Sequence, residues 1–234
     1  MWYKSREFLK LRQAWYERLK AEGFQEQEEF NWRFVGDEQL WIRNMEAVLG
    51  VHMIERLWLS TDMDDVLECE FEERVCVDQR PARFCDPMTP SELVVLELLD
   101  RMDPVPDWVV LTQCTSPFLM SGEIEDGIEK VFRQGADAGF AAVPFGGFVY
   151  DDSGNPLTHS NDGPRPPRQL DKRRLWLETG AFYVMRTEKL YETGSRFCGG
   201  KAIPCEVVDG TNIDTEWDML CATIRGCLLE DIAL

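Results

Sequence analysis

Residues 107–144 read DWVVLTQCTSPFLMSGEIEDGIEKVFRQGADAGFAAVP, and the class of fold follows from this pattern. An apolar run of strand length at 107–112 leads to an amphipathic segment, which predicts a helix over 124–134. A second apolar run at 138–144 predicts another strand. Strand, helix and strand in this order form the βαβ unit of parallel sheets. The stretch therefore predicts an α/β protein.

The same alternation extends outward from this stretch on both sides. We expect strands at 54–60 and 180–186, and helices at 38–49, 64–73, 90–102 and 215–230. Together these elements predict a three-layer α/β fold with a mostly parallel sheet. The last helix is predicted to begin at an Asp214 cap. Its expected inward face consists of Trp217, Leu220, Cys221, Ile224 and Leu228.

The N-terminal part of the chain has a different pattern. Residues 5–22 predict a helix with Ser5 as its cap and Gly23 as its stop, and one of its faces carries Phe8, Leu11, Trp15 and Leu19. Residues 30–35 are compatible with a short strand. Residues 151–171 are rich in Pro, Gly and Asp and predict a long loop. We therefore divide the chain into an N-terminal helical extension, 1–30, and an α/β domain, 31–234.

The composition argues against several classes of function. The 234 residues carry 25 basic and 43 acidic side chains, for a formal charge of −18, which disfavours binding to nucleic acid or to an anionic membrane. No apolar run is long enough to span a membrane, and the first residues lack the pattern of a signal peptide, so we expect a cytoplasmic protein. Eight cysteines without a Cys-x-x-Cys pair, and two histidines, predict reduced and mostly buried thiols and no structural zinc.

Polar residues follow the predicted strands, where ligands of open α/β sheets bind. Arg80 and Arg168 are suited to gripping a carboxylate or phosphate, and Asp214 with its neighbours to holding a magnesium ion. Plainer interpretations also exist: Asp214 is a good helix cap, and Thr115-Ser116-Pro117 can be a simple turn. The polar groups are Ser60-Thr61-Asp62, Gln113-Cys114-Thr115-Ser116-Pro117, Glu178-Thr179-Gly180 and Asn212-Ile213-Asp214.

Taken together, these groups resemble one family. Their order and spacing are similar to those of the acylneuraminate cytidylyltransferases (CMP-sialic acid synthetases), with CMP-Kdo synthetases as more distant relatives. The family patterns are S-T-D, R-P followed by D and T, Q-P-T-S-P, R-Q, E-N-G-A-x-Y and D-I-D-T-x-x-D. The matching residues, spread over about 38–230, are Ser60 to Asp62, Arg80-Pro81 with Asp86 and Thr89, Gln113 to Pro117, Arg168-Gln169, Glu178 to Tyr183 and Asn212 to Asp218.

The resemblance implies a Rossmann-like fold, a homodimer, and the use of CTP and Mg²⁺ to couple CMP to a sugar acid. In that reaction the anomeric oxygen of the sugar attacks the α-phosphate and pyrophosphate leaves. The resemblance places Arg80 near the cytidine, and Gln113 and Arg168 at the sugar acid. It places Asn212 and Asp214 at the metal, with Asp214 as the catalytic carboxylate. The remaining substrate-site residues that it implies are Thr115, Ser116, Gln169 and Glu178.

The chain departs from the family pattern at the phosphate-binding loop, at the metal pair and at two further positions. The family begins with a strand and the loop A-R-x-G-S-K, followed by K-N, whereas this chain has no lysine between Lys20 and Lys130 and no such glycine motif. Asn212 replaces the first carboxylate of the metal pair, and Thr179 replaces an asparagine. Phe118-Leu119 stands where the family usually has an arginine.

Three hypotheses follow for the function. The first is an active sugar-acid cytidylyltransferase, or a relative that acts on another sugar. In it a substitute loop binds the phosphates, and Arg33, Arg43 or the cluster Lys172-Arg173-Arg174 supplies the positive charge. The second is a catalytically inactive relative, reused as a binding or assembly module with the N-terminal helix as its contact to a protein partner. The third is an α/β domain that binds a small anionic sugar without a nucleotide.

Overall fold

The computed structural model describes residues 33–35, 38–86, 88–164 and 174–233. Eight strands and six α-helices lie within these ranges. In chain order they are β1 (Phe34–Val35), β2 (Glu38–Gln39), α1 (Leu40–Leu49), β3 (Leu57–Thr61), α2 (Asp64–Leu67), β4 (Val75–Gln79), α3 (Ser91–Leu99), β5 (Trp108–Thr112), α4 (Ser121–Gln134), β6 (Ala138–Phe145), β7 (Leu175–Arg186), α5 (Thr187–Thr193), β8 (Ala202–Glu206) and α6 (Glu216–Ala233).

The main sheet has four strands in the order β5-β7-β6-β8. Strand β7 runs antiparallel to both β5 and β6, whereas β6 and β8 are parallel, so three of the four strands share one direction. A second sheet pairs β3 with β4 in parallel, and a small antiparallel sheet joins β1 to β2. This arrangement confirms the predicted α/β class with parallel strands, but two of the three strand pairings in the main sheet are antiparallel, because β7 lies between β5 and β6 in the opposite direction.

Helices cover both faces of the main sheet because successive side chains of a strand point to opposite sides. On one face, Phe182 and Val184 of β7 join the apolar cluster that includes α1 and α4. On the other face, Tyr183 and Met185 join the cluster formed with α3 and α5. The three predicted layers are therefore present.

Several predicted elements differ from the structure in length. The helix predicted for 64–73 is wrong beyond its first turn, since α2 ends at Leu67. Strand β7 begins at Leu175, five residues before its predicted start, and α4 begins at Ser121. Strands β4 and β8 and helix α5 were not predicted, because each is short and carries polar residues or a proline that weaken its periodicity.

The predicted inward face of the last helix is wrong. Residues Met219 and Ala222 of α6 are buried against Val35 and Leu40, whereas Trp217 is 69% exposed. Leu220, Ile224, Leu228 and Cys221 are also exposed. Both faces of this helix are apolar, so the sequence pattern could not tell which one meets the core.

The remaining predictions about the chain have mixed outcomes. Residues 151–164 form no helix or strand apart from an isolated bridge between Tyr150 and Pro156, as predicted for the loop. The thiols are free, but only Cys198 and Cys205 are buried, so the expectation of mostly buried cysteines is wrong. The helix predicted for 5–22 lies outside the described residues. Within the described part, no helix is long and apolar enough to cross a membrane.

Candidate functional site

A cavity of about 490 Å³ opens where strands β5 and β7 meet the segment before α6. Two carboxylates, from Glu178 and Asp214, reach it together with the amides of Gln113 and Asn212. No arginine or lysine of the described ranges lines it. The other lining residues are Leu177, Thr179, Gly180, Tyr183 and Gly210.

Gln113 is held at the end of β5 by its neighbours. Its backbone N–H donates to the carbonyl of Ala181 in β7 (3.2 Å), which extends the strand pairing by one residue. The side chain of Asn44 in α1 donates to the carbonyl of Gln113 (3.2 Å) and accepts from the Thr112 hydroxyl (2.6 Å). Asn44 is thus a positioning residue, which sequence analysis missed because it lies within an otherwise amphipathic helix.

Glycine at position 180 makes room for the Gln113 side chain. A β-carbon on residue 180 would lie 2.8 Å from Gln113 Oε1, and Gly180 has φ +78°, a backbone conformation that favours glycine. Pairing of β7 with β6 shifts register between Phe140 and Ala142, next to this position. Glu178, on the irregular part of β7, therefore lines the same cavity as Gln113, which follows β5.

Thr179 acts within the strand rather than at the centre of the cavity. Its hydroxyl donates to the carbonyl of Ala141 (3.3 Å) and accepts from the N–H of Ala181 (3.4 Å). Only 5% of this residue is exposed, so the threonine supports the bulge in β7.

Glu178 forms a short hydrogen bond with the hydroxyl of Tyr183, which donates to Glu178 Oε1. Burial, together with this hydrogen bond, raises the pKa of Tyr183 to about 12, so the phenol stays protonated at neutral pH. The guanidinium of Arg196 lies 4.6 Å from the centre of the tyrosine ring and pairs through two hydrogen bonds with Glu92. The tyrosine therefore fixes the orientation of one cavity carboxylate.

Asn212 and Asp214 both line the cavity, whereas Ile213 between them is buried in the cluster with Val35 and Leu40. The N–H of Ile213 donates to the carbonyl of Thr115 (2.9 Å), which ties this segment to the end of β5. Asn212 Nδ2 donates to Asp214 Oδ2 (2.7 Å), whereas Asn212 Oδ1 is buried with no hydrogen-bond partner in the described part. Two oxygen-bearing side chains thus lie side by side.

The N-terminal cap of helix α6 is Thr215. The prediction that Asp214 caps this helix is wrong. The Thr215 hydroxyl accepts from the N–H of Asp218 (3.2 Å), and the Asp218 carboxylate accepts from the N–H of Thr215 (2.9 Å) and from that of Asp214 (3.2 Å). This reciprocal pattern is a capping box. The hydrogen bond from the Thr215 hydroxyl (2.7 Å) lowers the pKa of Asp218. The side chain of Asp214 is consequently not used as the helix cap.

Arg80 lines a second cavity, of about 420 Å³, with Asp62 and Cys85. Its guanidinium donates to the carbonyl of Ser60, and Ser60 in turn donates to Asp78 (3.0 Å). Its positive charge acts on Cys114, the residue after Gln113. Cys114 is partly buried as a residue, but removal of its sulfur from water raises the pKa of the thiol to about 11, and Arg80 opposes the rise. Arg80 therefore lies near the end of β5 but in a separate cavity from Gln113.

The other predicted site residues have different locations. Thr115 contributes its carbonyl to Ile213, and Ser116 is buried with a hydroxyl that has no partner among the described residues. Neither lines the first cavity. Arg168 and Gln169 lie outside the described residues, as do Lys172 and Arg173.

The arginines proposed as phosphate-binding groups are engaged elsewhere. Arg33 forms an ion pair with Glu216 (2.6 Å), and Arg43 donates to the carbonyl of Val35 (2.8 Å). Arg225 of α6 stacks on Phe118, 4.7 Å from the ring centre, and pairs with Asp209. Arg225 thus lies against Phe118, and its charge is balanced by Asp209.

The architecture matches that of cytidylyltransferases of known structure. A 4-diphosphocytidyl-2C-methyl-D-erythritol synthase from Anaerococcus prevotii superposes with a TM-score of 0.61 at 15% identity, covering 83% of this chain and 92% of that one. A CMP:2-keto-3-deoxy-manno-octonic acid synthetase, solved with CTP, superposes with a TM-score of 0.59 at 14% identity, covering 86% and 92%. The fold is therefore the Rossmann-like fold of the nucleotidyltransferases.

In sequence, the chain is similar to N-acylneuraminate cytidylyltransferases, which confirms the resemblance seen in the motifs. It is 24% identical to the Oncorhynchus mykiss protein over 202 residues, covering 79% of this chain and 46% of that one. For the B form from Danio rerio, the identity is 23% with coverage of 78% and 47%. The chain thus spans about half the length of these relatives, and no family model matches it.

Proposed function

We propose that the protein is a sugar-acid cytidylyltransferase that couples CMP from CTP to a sialic-acid-type sugar and releases pyrophosphate. The observation that carries this proposal is the convergence of Gln113, Glu178 and Asp214 on one cavity at the ends of β5 and β7. These residues come from three separate motifs of the chain that resemble the acylneuraminate cytidylyltransferase pattern. A cavity of about 490 Å³ is in the range of small-molecule sites.

The cavity chemistry suits the sugar rather than the phosphates. Amides such as that of Gln113 and carboxylates such as that of Glu178 are good partners for sugar hydroxyls, and the Tyr183 hydroxyl holds Glu178 in place. In the proposed reaction the anomeric oxygen of the sugar attacks the α-phosphate of CTP, and pyrophosphate leaves from the opposite side. Gln113 and Glu178 would orient the attacking sugar for this displacement.

Asp214 and Asn212 are the residues that would hold a magnesium ion. Magnesium takes oxygen ligands, commonly one or two carboxylates together with substrate phosphates, and the buried Asn212 Oδ1 is an oxygen without a partner in the described part of the chain. The ion would supply positive charge to the phosphates in a cavity whose described lining has two acidic and no basic residues. Arg168 and Lys172-Arg173 are further candidate sources of charge by sequence.

A specific observation also favours a second candidate, a catalytically inactive relative that serves as a binding or assembly module. Asn212 is uncharged, so the pair proposed to hold magnesium has one carboxylate. The amide N–H of Asn212 donates to Asp214 Oδ2 (2.7 Å). With one carboxylate instead of two, the affinity for magnesium, and hence for its CTP complex, is expected to fall.

Calorimetric titration of CTP into the purified chain, with and without magnesium, separates the two candidates. An active enzyme binds CTP only with magnesium, loses this binding in Asp214→Ala, and keeps it in Asp126→Ala, an exposed acid on α4. Pyrophosphate release would then be measured with a panel of sugar acids. Absence of binding at millimolar CTP would contradict the enzyme and favour the inactive relative.

A further inference from the structure

Helix α6 exposes a continuous apolar face. Trp217, Leu220, Ile224 and Leu228 are 69%, 49%, 55% and 57% exposed. Their spacing of three, four and four residues places them on one side of the helix, with Cys221 among them. The opposite side carries the buried Met219 and Ala222, which pack on Val35 and Leu40.

A continuous apolar face of this kind is unusual on a solvent-exposed helix. Single exposed apolar residues are normal, but a stripe that includes a tryptophan over three helical turns marks a contact with another apolar element. The question is therefore which element covers the face.

We propose that residues 5–22 of the same chain form a helix that packs on this face of α6. The apolar residues of that segment, Phe8, Leu11, Trp15 and Leu19, have the same spacing of three, four and four. Each segment has 18 residues, or about 27 Å as a helix, so the two stripes match over their whole length.

The described part of the chain begins beside α6. Arg33 forms an ion pair with Glu216 in the first turn of α6 (2.6 Å), and the carbonyl of Phe34 accepts from Thr223 about two turns further along (3.5 Å). Residues 23–32 connect the segment to this point and can span up to about 33 Å when extended. The segment is thus tethered beside the face, which favours an intramolecular contact over a contact between molecules.

Charge also favours this pairing. Residues 5–22 carry five basic and three acidic side chains in a chain whose net charge is −18. Helix α6 carries four acidic side chains and one basic one. An antiparallel arrangement brings the end of the segment that carries Arg18 and Lys20 to the end of α6 that carries Glu216 and Asp218, and it needs the shortest connection to Arg33.

Alkylation of the native cysteines tests the contact, because Cys221 lies within the apolar face. The full-length chain is treated with iodoacetamide at several protein concentrations, and the rate at each cysteine is measured by peptide mass spectrometry. Exposed Cys69 is the reference, and buried Cys198 and Cys205 report that the fold is intact. The test variant is Trp15→Glu; Gln13→Glu, on the opposite side of the predicted helix, is the matched control.

We expect Cys221 in the wild type to react at least about tenfold more slowly than Cys69, because a docked helix must open first. Trp15→Glu should raise the Cys221 rate to within about twofold of Cys69, and Gln13→Glu should leave it slow. A wild-type Cys221 that reacts as fast as Cys69, or protection that survives Trp15→Glu, overturns the proposal. Protection that grows with protein concentration also overturns it, in favour of a second copy of the chain.

Discussion

Gly180 provides the space in which the side chain of Gln113 lies. The Oε1 atom of Gln113 is 2.8 Å from the position of a β-carbon on residue 180, well inside van der Waals contact. At the cavity wall, the Gln113 side chain after β5 therefore lies directly against the backbone of β7 at Gly180. A β-carbon on residue 180 would require the Gln113 amide to move.

Gly180→Ala should destabilise the fold and weaken ligand binding in the cavity. The new β-carbon would push Gln113 away, and alanine is strained at φ +78°, so we expect a loss of about 2 kcal/mol in the free energy of unfolding. Urea denaturation measures this loss.

Gly154→Ala is the matched control, because Gly154 has φ +79° with nothing within 4 Å of its β-carbon position. This variant reports the backbone strain alone. In Gly180→Ala with Gln113→Ala, part of the loss should be recovered, because the clash is gone. Equal losses in Gly180→Ala and Gly154→Ala would show that Gln113 does not matter for stability.

Asn212→Asp should strengthen magnesium-dependent binding of CTP. The substitution restores a second carboxylate beside Asp214 and removes the amide N–H that now donates to Asp214 Oδ2. We expect at least about a tenfold gain in affinity with magnesium. Without magnesium, the added negative charge should weaken binding or leave it undetectable, since the described cavity lining holds no basic residue.

Calorimetry with and without magnesium measures both effects of Asn212→Asp, and Asp126→Asn on the surface of α4 serves as a control for charge. An unchanged magnesium dependence in Asn212→Asp would mean that this pair is not the metal site.

Glu92 and Arg196 should make the stability of the fold depend on pH in the acid range. Burial alone would raise the pKa of Glu92, but the hydrogen bonds from Arg196 outweigh it and lower that pKa below its ordinary value. The stabilisation of the fold by the Glu92–Arg196 ion pair is therefore complete at neutral pH. It is lost as the pH falls through the lowered pKa of Glu92.

Glu92→Gln should reduce the free energy of unfolding by about 2 kcal/mol at pH 7, and the difference from wild type should shrink as the pH falls from about 5 to 3. Urea denaturation across this range tests the prediction. Glu192→Gln, which breaks the exposed Lys189–Glu192 pair, should have no measurable effect at any of these pH values. A constant difference between Glu92→Gln and wild type across the range would exclude the titration of Glu92 as the cause.

Thr215→Ala should weaken the start of α6. The variant removes the hydroxyl that accepts from the N–H of Asp218 and donates to its carboxylate, so we expect a loss of about 1 kcal/mol in the free energy of unfolding. The pKa of Asp218 should rise toward its ordinary value, which a carboxyl-detected NMR titration measures. Thr215→Ser keeps the hydroxyl and should retain both properties. A cap formed by Asp214 would instead leave Thr215→Ala close to wild type.

The local pattern of apolar residues determined much of the fold in advance. Helices α3 and α4 each bury a recognisable set of residues, and strand β5 is an unbroken apolar run of strand length, so the sequence pattern located all three. The motifs also named most of the polar residues at the first cavity, because ligand-binding residues follow strands of α/β sheets in a fixed chain order.

The tertiary structure decided matters that depend on partners distant in sequence. It placed Arg80 and Gln113 in separate cavities, and it paired Asn212 with Asp214. It also selected which apolar face of α6 meets the core. Periodicity shows which side chains share a face, but burial depends on what the rest of the chain brings to that face. Which face of α6 is buried depends on the packing energy between the helix and its neighbours. The sequence of the helix alone does not determine it.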